Sequence, residues 1–190
     1  MNSLIAPFAP DAHGVPLPDA VVRLADRVDL CRTGALSAQR EGGDPAEWTA
    51  QHERRFDDER HTLVVAEYRG EIIGYGWLSW LTPTADGGRN APDGWYLSGV
   101  VVSPDFRRRG LGRRLTQARI EWALAHGGAV HYVVAARNHA SRTLHSSLGF
   151  QEITTDFTLP GVVFGNNDGI LCRLLARPDA EVVDLATRRS

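Results

Sequence analysis

The sequence predicts an α/β fold in which helices pack on one mixed sheet. Three observations predict it. Residues 19–60 carry apolar side chains at helical spacing. From His61 the pattern changes to dense, β-branched and aromatic runs bounded by turn residues. From Trp95 onward strands and helices alternate before two closing strands. A chain of 190 residues with 43% hydrophobic and 23% charged residues suits one domain. It can bury a core without disulfides or metal.

The elements follow in order. Residues 1–17 lack a basic leader and are broken by prolines, so they read as a flexible lead-in and not a signal peptide. The domain is expected over 18–176, with a polar tail at 177–190. Val21, Leu24, Ala25 and Val28 predict a first helix over about 19–30. Asp44 as cap, Pro45 at the first helical position and Glu47 after it predict a second, running to about Arg60. Residues 61–69 and 72–81 form a hairpin about Gly70. After a Gly/Pro/Asn/Asp-rich loop at 82–94, residues 95–102 form a third strand. A helix follows over about 112–126, with Leu111, Leu115, Ala118, Trp122 and Ala125 as its buried stripe and Gly127-Gly128 as its stop. Val130–Ala135 is a fourth strand, Asn138 caps a short helix ending at Gly149, and residues 150–159 and 169–175 are the last strands.

A net charge of -2 gives no global positive field for nucleic acid or membrane, so neither is an expected partner. Cys31 and Cys172 lack His or Cys neighbours at ligand spacing, so no metal is expected and a reducing cytoplasm fits. No apolar stretch approaches the roughly 20 residues of a membrane span.

The chemistry concentrates at Arg107-Arg108-Arg109-Gly110-Leu111-Gly112, followed by Arg113. The first-turn N–H groups of a helix have no internal partner, and the helix dipole makes that end partly positive. A glycine-rich entry lets backbone amides approach an anion, and four arginines add charge. The combination suits a polyphosphate. Neither GxxxxGK[ST] nor GxGxxG is present. A solvated basic helix start is the plain alternative.

Arg107, Gly110 and Gly112 match R/Q-x-x-G-x-G/A opening a helix after a strand. Asn138 through Leu144-His145 to Gly149-Phe150 matches a second pattern of Asn, small residues, Leu-Tyr and Gly-Phe. In this order and spacing the chain resembles the GNAT family of N-acetyltransferases. The resemblance implies a mostly antiparallel central sheet of six to seven strands, flanked by about four helices and splayed in the middle. It implies acetyl-CoA as co-substrate and no metal. The backbone of Val100, Val101 and Val102 would contact the pantetheine arm. Arg107, Arg108, Arg109, Gly110, Leu111, Gly112 and Arg113 would cradle the pyrophosphate. Asn138 and Ser141, with Arg142 beside them, would touch the coenzyme. A homodimer is expected on the same ground.

The family's usual tyrosine acid is His145 here, a candidate acid or a packing residue. Its usual glutamate positions hold Val133 on one strand and Ser98-Gly99 on the other, leaving Glu67, Tyr96, Asp93, Asp156 or a water chain as candidate bases. The acceptor pocket would draw on Trp48, Phe56, Tyr75, Trp77, Trp80, Trp95 and Phe157, with the acids Glu53, Asp57, Asp58, Asp86, Asp93 and Asp168. Aromatics with acids suit a small cationic amine. Acetylation of a protein N-terminus or lysine, and an acyl-CoA-binding module without turnover, are the alternatives.

Overall fold

A computed structural model describes residues 14–83, 91–159, 161–165 and 168–175. Seven strands form one sheet in the order β1-β2-β3-β4-β5-β7-β6. They are β1 (Val21–Leu24), β2 (His61–Tyr68), β3 (Glu71–Leu81), β4 (Gly94–Val102), β5 (Val130–Ala135), β6 (Phe150–Thr154) and β7 (Gly169–Leu174). Four α-helices flank them: α1 (Leu30–Glu41), α2 (Pro45–Phe56), α3 (Leu111–Ala125) and α4 (His139–Ser146). Every pairing is antiparallel except β4 with β5.

The two sheet faces bury different helices. Leu30 and Leu36 of α1 pack with Leu63, Val65, Tyr75, Trp77 and Val101. Leu111 and Leu115 of α3 pack with Val64, Ala66 and Ile73 on the opposite face. Alternation along β2 sends successive side chains to opposite faces, so both sets of helices are anchored by one strand. A second core joins the far end of α3 to β5, β6 and β7 through Ile120, Ala123, Tyr132, Phe150 and Cys172.

The start of the chain departs from expectation. Val21–Leu24 is an edge strand paired with β2, a 3-10 turn follows at Arg27–Asp29, and the helix begins only at Leu30. The stripe at 21, 24 and 28 is not a buried helix face, since Val21, Leu24 and Val28 are exposed. What holds this segment is polar: Arg23 reaches Asp29 at 2.7 Å and Glu67 at 2.9 Å. Helix α1 buries Thr33, Gly34 and Ser37 beside Leu30 and Leu36, so its inner face is partly polar. The expected strand over 150–159 is also shorter. It stops at Thr154, whose hydroxyl accepts from the Asp156 N–H at 3.0 Å and turns the chain.

The end of the lead-in is tied to the basic loop. Gly14 N–H donates to Arg108 O at 3.0 Å, and Arg114 donates to the carbonyls of Leu17 and Ala20. Residues 1–13, Asp86 and the tail at 177–190 lie outside the described residues. Among the described residues no helix is long and apolar enough to cross a membrane.

Candidate active site

Strands β4 and β5 pair at two positions only, Trp95 with Val130 and Tyr96 with His131. Beyond them the strands part. The pairing of β3 with β4 shifts register at the same level, from Gly76 with Val100 to Trp77 with Ser98. Gly99 is therefore the extra residue of a bulge and has no partner on β3. A bulge unpairs a backbone amide and re-aims it, and here Gly99 lies exposed at the opening.

A cleft of about 1020 Å³ occupies the gap. Val100, Val101, Val102, Arg107, Arg108, Gly110, Leu111, Gly112, Arg113, Asn138, Ser141 and His145 all line it, together with Ser98, Gly99, Tyr132 and Val133. Arg109 does not. Its guanidinium stacks over the Phe106 ring at 5.9 Å. Arg142 also turns away, bonded to Ala136 O and Glu152.

The mouth of the cleft is built for an anion. Gly110 caps α3 with φ 80°, and Arg108 has φ 63°. These left-handed residues fold the loop so that its amides converge at the α3 N-terminus. A Cβ at Gly110 would meet nothing within 4 Å, so the cradle is open to a ligand. Asn138 caps α4, its side chain accepting from Ser141 N at 3.1 Å.

Three groups are held inside the cleft walls. His145 is buried, stacked on Tyr132 at 3.9 Å, with Nδ1 2.9 Å from Ser141 O. A carbonyl oxygen only accepts, so Nδ1 carries the proton. Burial, with Arg119 adding to it, pushes the imidazole down to about 4. At neutral pH the ring is neutral and Nε2 holds a lone pair, which differs from the proton-donating acid that the sequence suggests. Burial and its contact with Cys172 push the Tyr132 hydroxyl well above the ordinary phenol range.

Arg119 is the third group. It is 1% exposed, and its guanidinium donates to Leu115 O, Trp77 O, Ser98 O and Thr116 Oγ1. No carboxylate pairs with it among the described residues, and burial lowers it to about 9. By holding Trp77 O at 2.9 Å and Ser98 O at 2.8 Å it fixes both sides of the bulge. Gly76 makes room for it, because a Cβ there would stand 2.9 Å from the guanidinium carbon.

No lining residue of the cleft, among those described, is Asp or Glu; five are arginine, namely Arg40, Arg107, Arg108, Arg113 and Arg119. Four of the acids expected around the acceptor are turned elsewhere, and Asp168 is half-buried, its backbone carbonyl accepting from Ala136 N–H. Asp57 pairs with Arg27, Asp58 pairs with Arg60, and Glu53 and Asp93 are exposed away from the cleft. The candidate bases are equally distant. Glu67 binds Arg23, Tyr96 donates to Pro92 O at 2.6 Å, and Asp156 lies exposed beyond β6. The sequence reading missed Arg55 and Arg119. Both lie on inward helix faces, Arg55 three residues after buried His52 and Arg119 four after Leu115, and that spacing was the available signal.

A splayed parallel pair, a bulge at the parting point and an arginine-glycine loop opening a helix define an acyl-coenzyme A transferase site. The chain belongs to the acetyltransferase (GNAT) family, whose model matches residues 30–150. It is similar to the N-alpha-acetyltransferase RimI of Mycobacterium tuberculosis, at 32% identity over 127 residues, covering 67% of this chain and 75% of that one. It is also similar to the L-methionine sulfoximine/L-methionine sulfone acetyltransferase of Pseudomonas paraeruginosa, at 40% identity over 106 residues, covering 54% of this chain and 57% of the relative. In fold it matches yncA, a putative acetyltransferase from Salmonella typhimurium solved with acetyl-CoA, with TM-score 0.62 and 23% identity over 87% of this chain and 98% of that one. The protein is thus an acetyl-CoA-dependent N-acetyltransferase of the GNAT type.

Proposed function

We propose that this enzyme acetylates the primary amine of a small molecule, by direct attack on the acetyl thioester in the cleft between β4 and β5. Acetyl-CoA supplies the activated acyl group. Arg107, Arg108, Gly110, Leu111, Gly112 and Arg113 hold its pyrophosphate at the α3 N-terminus. The backbone of Val100, Val101 and Val102 holds the pantetheine arm, and Asn138 and Ser141 contact it from α4. The unpaired amide at the Gly99 bulge is aimed to stabilise negative charge at the acyl oxygen.

The observation that carries the reading is the parting of β4 from β5 directly beyond the bulge. The small-molecule acceptor is supported by the 40% identity to an enzyme named for L-methionine sulfoximine and L-methionine sulfone. It is supported further by Val133 lining the cleft at the position where the family resemblance implies a glutamate in some members. With no lining carboxylate among the described residues, the arginine-rich wall disfavours an ammonium, whose proton passes to bulk water. The free amine then forms the C–N bond as the C–S bond breaks, and the coenzyme A thiolate leaves and takes its proton from solvent. His145 accepts or orients through Nε2 and is not a proton source at neutral pH. A cytoplasmic location and a homodimer belong to the same proposal.

Protein N-terminal acetylation is the second reading, favoured by similarity to RimI over 75% of that protein's length. Coenzyme A release measured against a panel of small amines and of peptides separates the two. Turnover of small amines supports the first reading; turnover confined to peptides replaces it with the second.

A further inference from the structure

One arginine nitrogen ties two strands together where the cleft opens. Nη1 of Arg119 donates to Trp77 O on β3 at 2.9 Å and to Ser98 O on β4 at 2.8 Å. A carbonyl that shares its donor with Trp77 O is turned toward the seam between β3 and β4. The Ser98–Gly99 peptide is trans. In a trans peptide the C=O and the following N–H point in opposite directions. The Gly99 N–H is therefore turned away from β3, toward the side where β4 has parted from β5. Ser98, Gly99 and Arg119 all line the cleft there.

The same bond carries charge to that carbonyl. The other acceptors of Arg119, Leu115 O and Thr116 Oγ1, are neutral, and no carboxylate pairs with it among the described residues. A charged donor makes a hydrogen bond roughly twice as strong as a neutral one. It draws electron density onto the carbonyl oxygen, raises the double-bond character of C–N and leaves the N–H more positive. Arg119 is 1% exposed, so water screens this little. Arg55 provides a contrast. It grips the same residue from the other face of the sheet, but through the Ser98 hydroxyl at 2.9 Å, which leaves the peptide group untouched. Gly76 lets Arg119 lie where it does, because a Cβ there would stand 2.9 Å from the guanidinium carbon and from Nε.

We propose that Arg119 is a positioning residue for the acyl transfer: through the Ser98 carbonyl it aims and polarises the Ser98–Gly99 peptide, making the Gly99 N–H a charge-assisted donor to the acyl oxygen. This rests on the reading of the Gly99 amide as the group that meets that oxygen. As the amine nitrogen bonds to the acyl carbon, the carbonyl π pair moves onto oxygen, and the Gly99 N–H receives that charge. When the pair returns, the C–S bond breaks and the thiolate leaves. The amine proton passes to bulk water, and the thiolate takes its proton from solvent. Arg119 neither gives nor takes a proton.

The test needs no acceptor. Acetyl-CoA isotope-labelled at the acyl carbonyl is bound to the whole enzyme, and the carbonyl stretch is read by infrared difference spectroscopy. In the wild type the band is expected below its position for acetyl-CoA in water, because a strong donor weakens C=O. In Arg119→Gln it moves back toward that position. Gly76→Ala does the same with the charge retained, since its methyl pushes the guanidinium off Ser98 O; it carries the test should Arg119→Gln fail to fold. Arg119→Lys keeps part of the lowering. Arg55→Gln, which releases only the hydroxyl, leaves the band in place. Slow release of coenzyme A to water from the bound thioester falls in parallel in Arg119→Gln, by about tenfold, less than the loss of a whole oxyanion donor.

A wild-type band that is lowered, and stays lowered in Arg119→Gln and Gly76→Ala, overturns the proposal and leaves the Gly99 amide as the donor. A wild-type band at the free position removes the amide, and the proposal with it. A band that moves as far in Arg55→Gln as in Arg119→Gln also overturns the proposal, because a general loosening of β4 then accounts for both.

Discussion

The two sides of β4 solve opposite electrostatic problems. On the coenzyme side, exposed arginines and helix N–H groups surround an open mouth. Charge there remains in water until the ligand arrives, and it costs little to keep. On the opposite side, Arg55 is drawn in between α2 and the sheet, and Arg119 is sealed beneath the bulge, neither paired with a carboxylate among the described residues. Positive charge there is expensive, and hydrogen bonds to neutral acceptors offset only part of the cost. The first arrangement is a general answer to polyphosphate. The second holds β4 from both faces at Ser98.

The largest expected effect strikes both sides at once. His52 lies between α1 and α2, His131 at the last position where β5 pairs with β4, and His145 in the cleft wall. All three are buried, and burial pushes each down to about 4. Between pH 6.5 and 4 the unfolded chain binds protons that the folded chain refuses. Stability is therefore full above about pH 6.5 and is lost as pH falls toward 4. At pH 5 each imidazole costs on the order of 2 kcal/mol. Melting followed from pH 7.5 to 4.5 should show a steep fall. A flat profile down to pH 5 would mean that these rings are not buried as neutral groups.

Next comes Arg119→Leu. It leaves Trp77 O and Ser98 O without their donors at the bulge, while deleting a desolvated charge returns part of the loss. The net expectation is about 2–3 kcal/mol of stability, read by urea unfolding. The single-turnover acetyl-transfer rate should fall as well, because the Gly99 amide loses its fixed setting. Arg119→Leu with an unaltered transfer rate would separate the bulge from the chemistry.

The loop gives a smaller and more selective effect. Gly110→Val forces a β-branched residue to φ 80° and should weaken acetyl-CoA binding about tenfold, or about 1.4 kcal/mol. Gly112→Ala differs usefully. Its added methyl would meet only Val100 Cγ1, at 4.0 Å, so the free protein should gain about 0.5 kcal/mol while coenzyme affinity drops. Gain of stability with loss of affinity marks a glycine kept for the ligand. Calorimetric titration with acetyl-CoA beside a melting curve reads both.

The same contrast explains what was legible in the sequence. The coenzyme side is local: a strand, a loop and a helix start that are contiguous along the chain, so Arg107, Gly110 and Gly112 could be read together. Twelve of the thirteen proposed site residues line one cleft, and Arg109, stacked on Phe106, does not. The acceptor side is assembled from α2, β3 and β4, and its arginines matter through burial, which spacing only hints at. Arg119 stands next to Ala118 of the expected stripe, and an arginine in that setting reads as solvated. The first helix was misplaced because four apolar residues fit a helical period and an edge strand equally. There Arg23, bonded to Asp29 and Glu67, decided the outcome across 44 positions of sequence.

His145 offers the smallest effect and the finest discrimination. Its Nδ1–H is committed to Ser141 O, its ring is neutral above about pH 4, and its face is committed to Tyr132. A residue so placed shapes the wall and presents a lone pair. His145→Phe keeps the stack and the volume and removes that lone pair, so kcat should fall by less than about tenfold, under 1.4 kcal/mol of barrier. The kcat profile of the wild type should show no limb near pH 6.5 that vanishes in His145→Phe. His145→Tyr restores a hydroxyl donor at the same height and should match or exceed the wild type. If instead His145→Phe loses a hundredfold or more and carries away a limb near neutrality, the imidazole is a proton donor after all. The ring's pKa would then have to rise when acetyl-CoA fills the cleft.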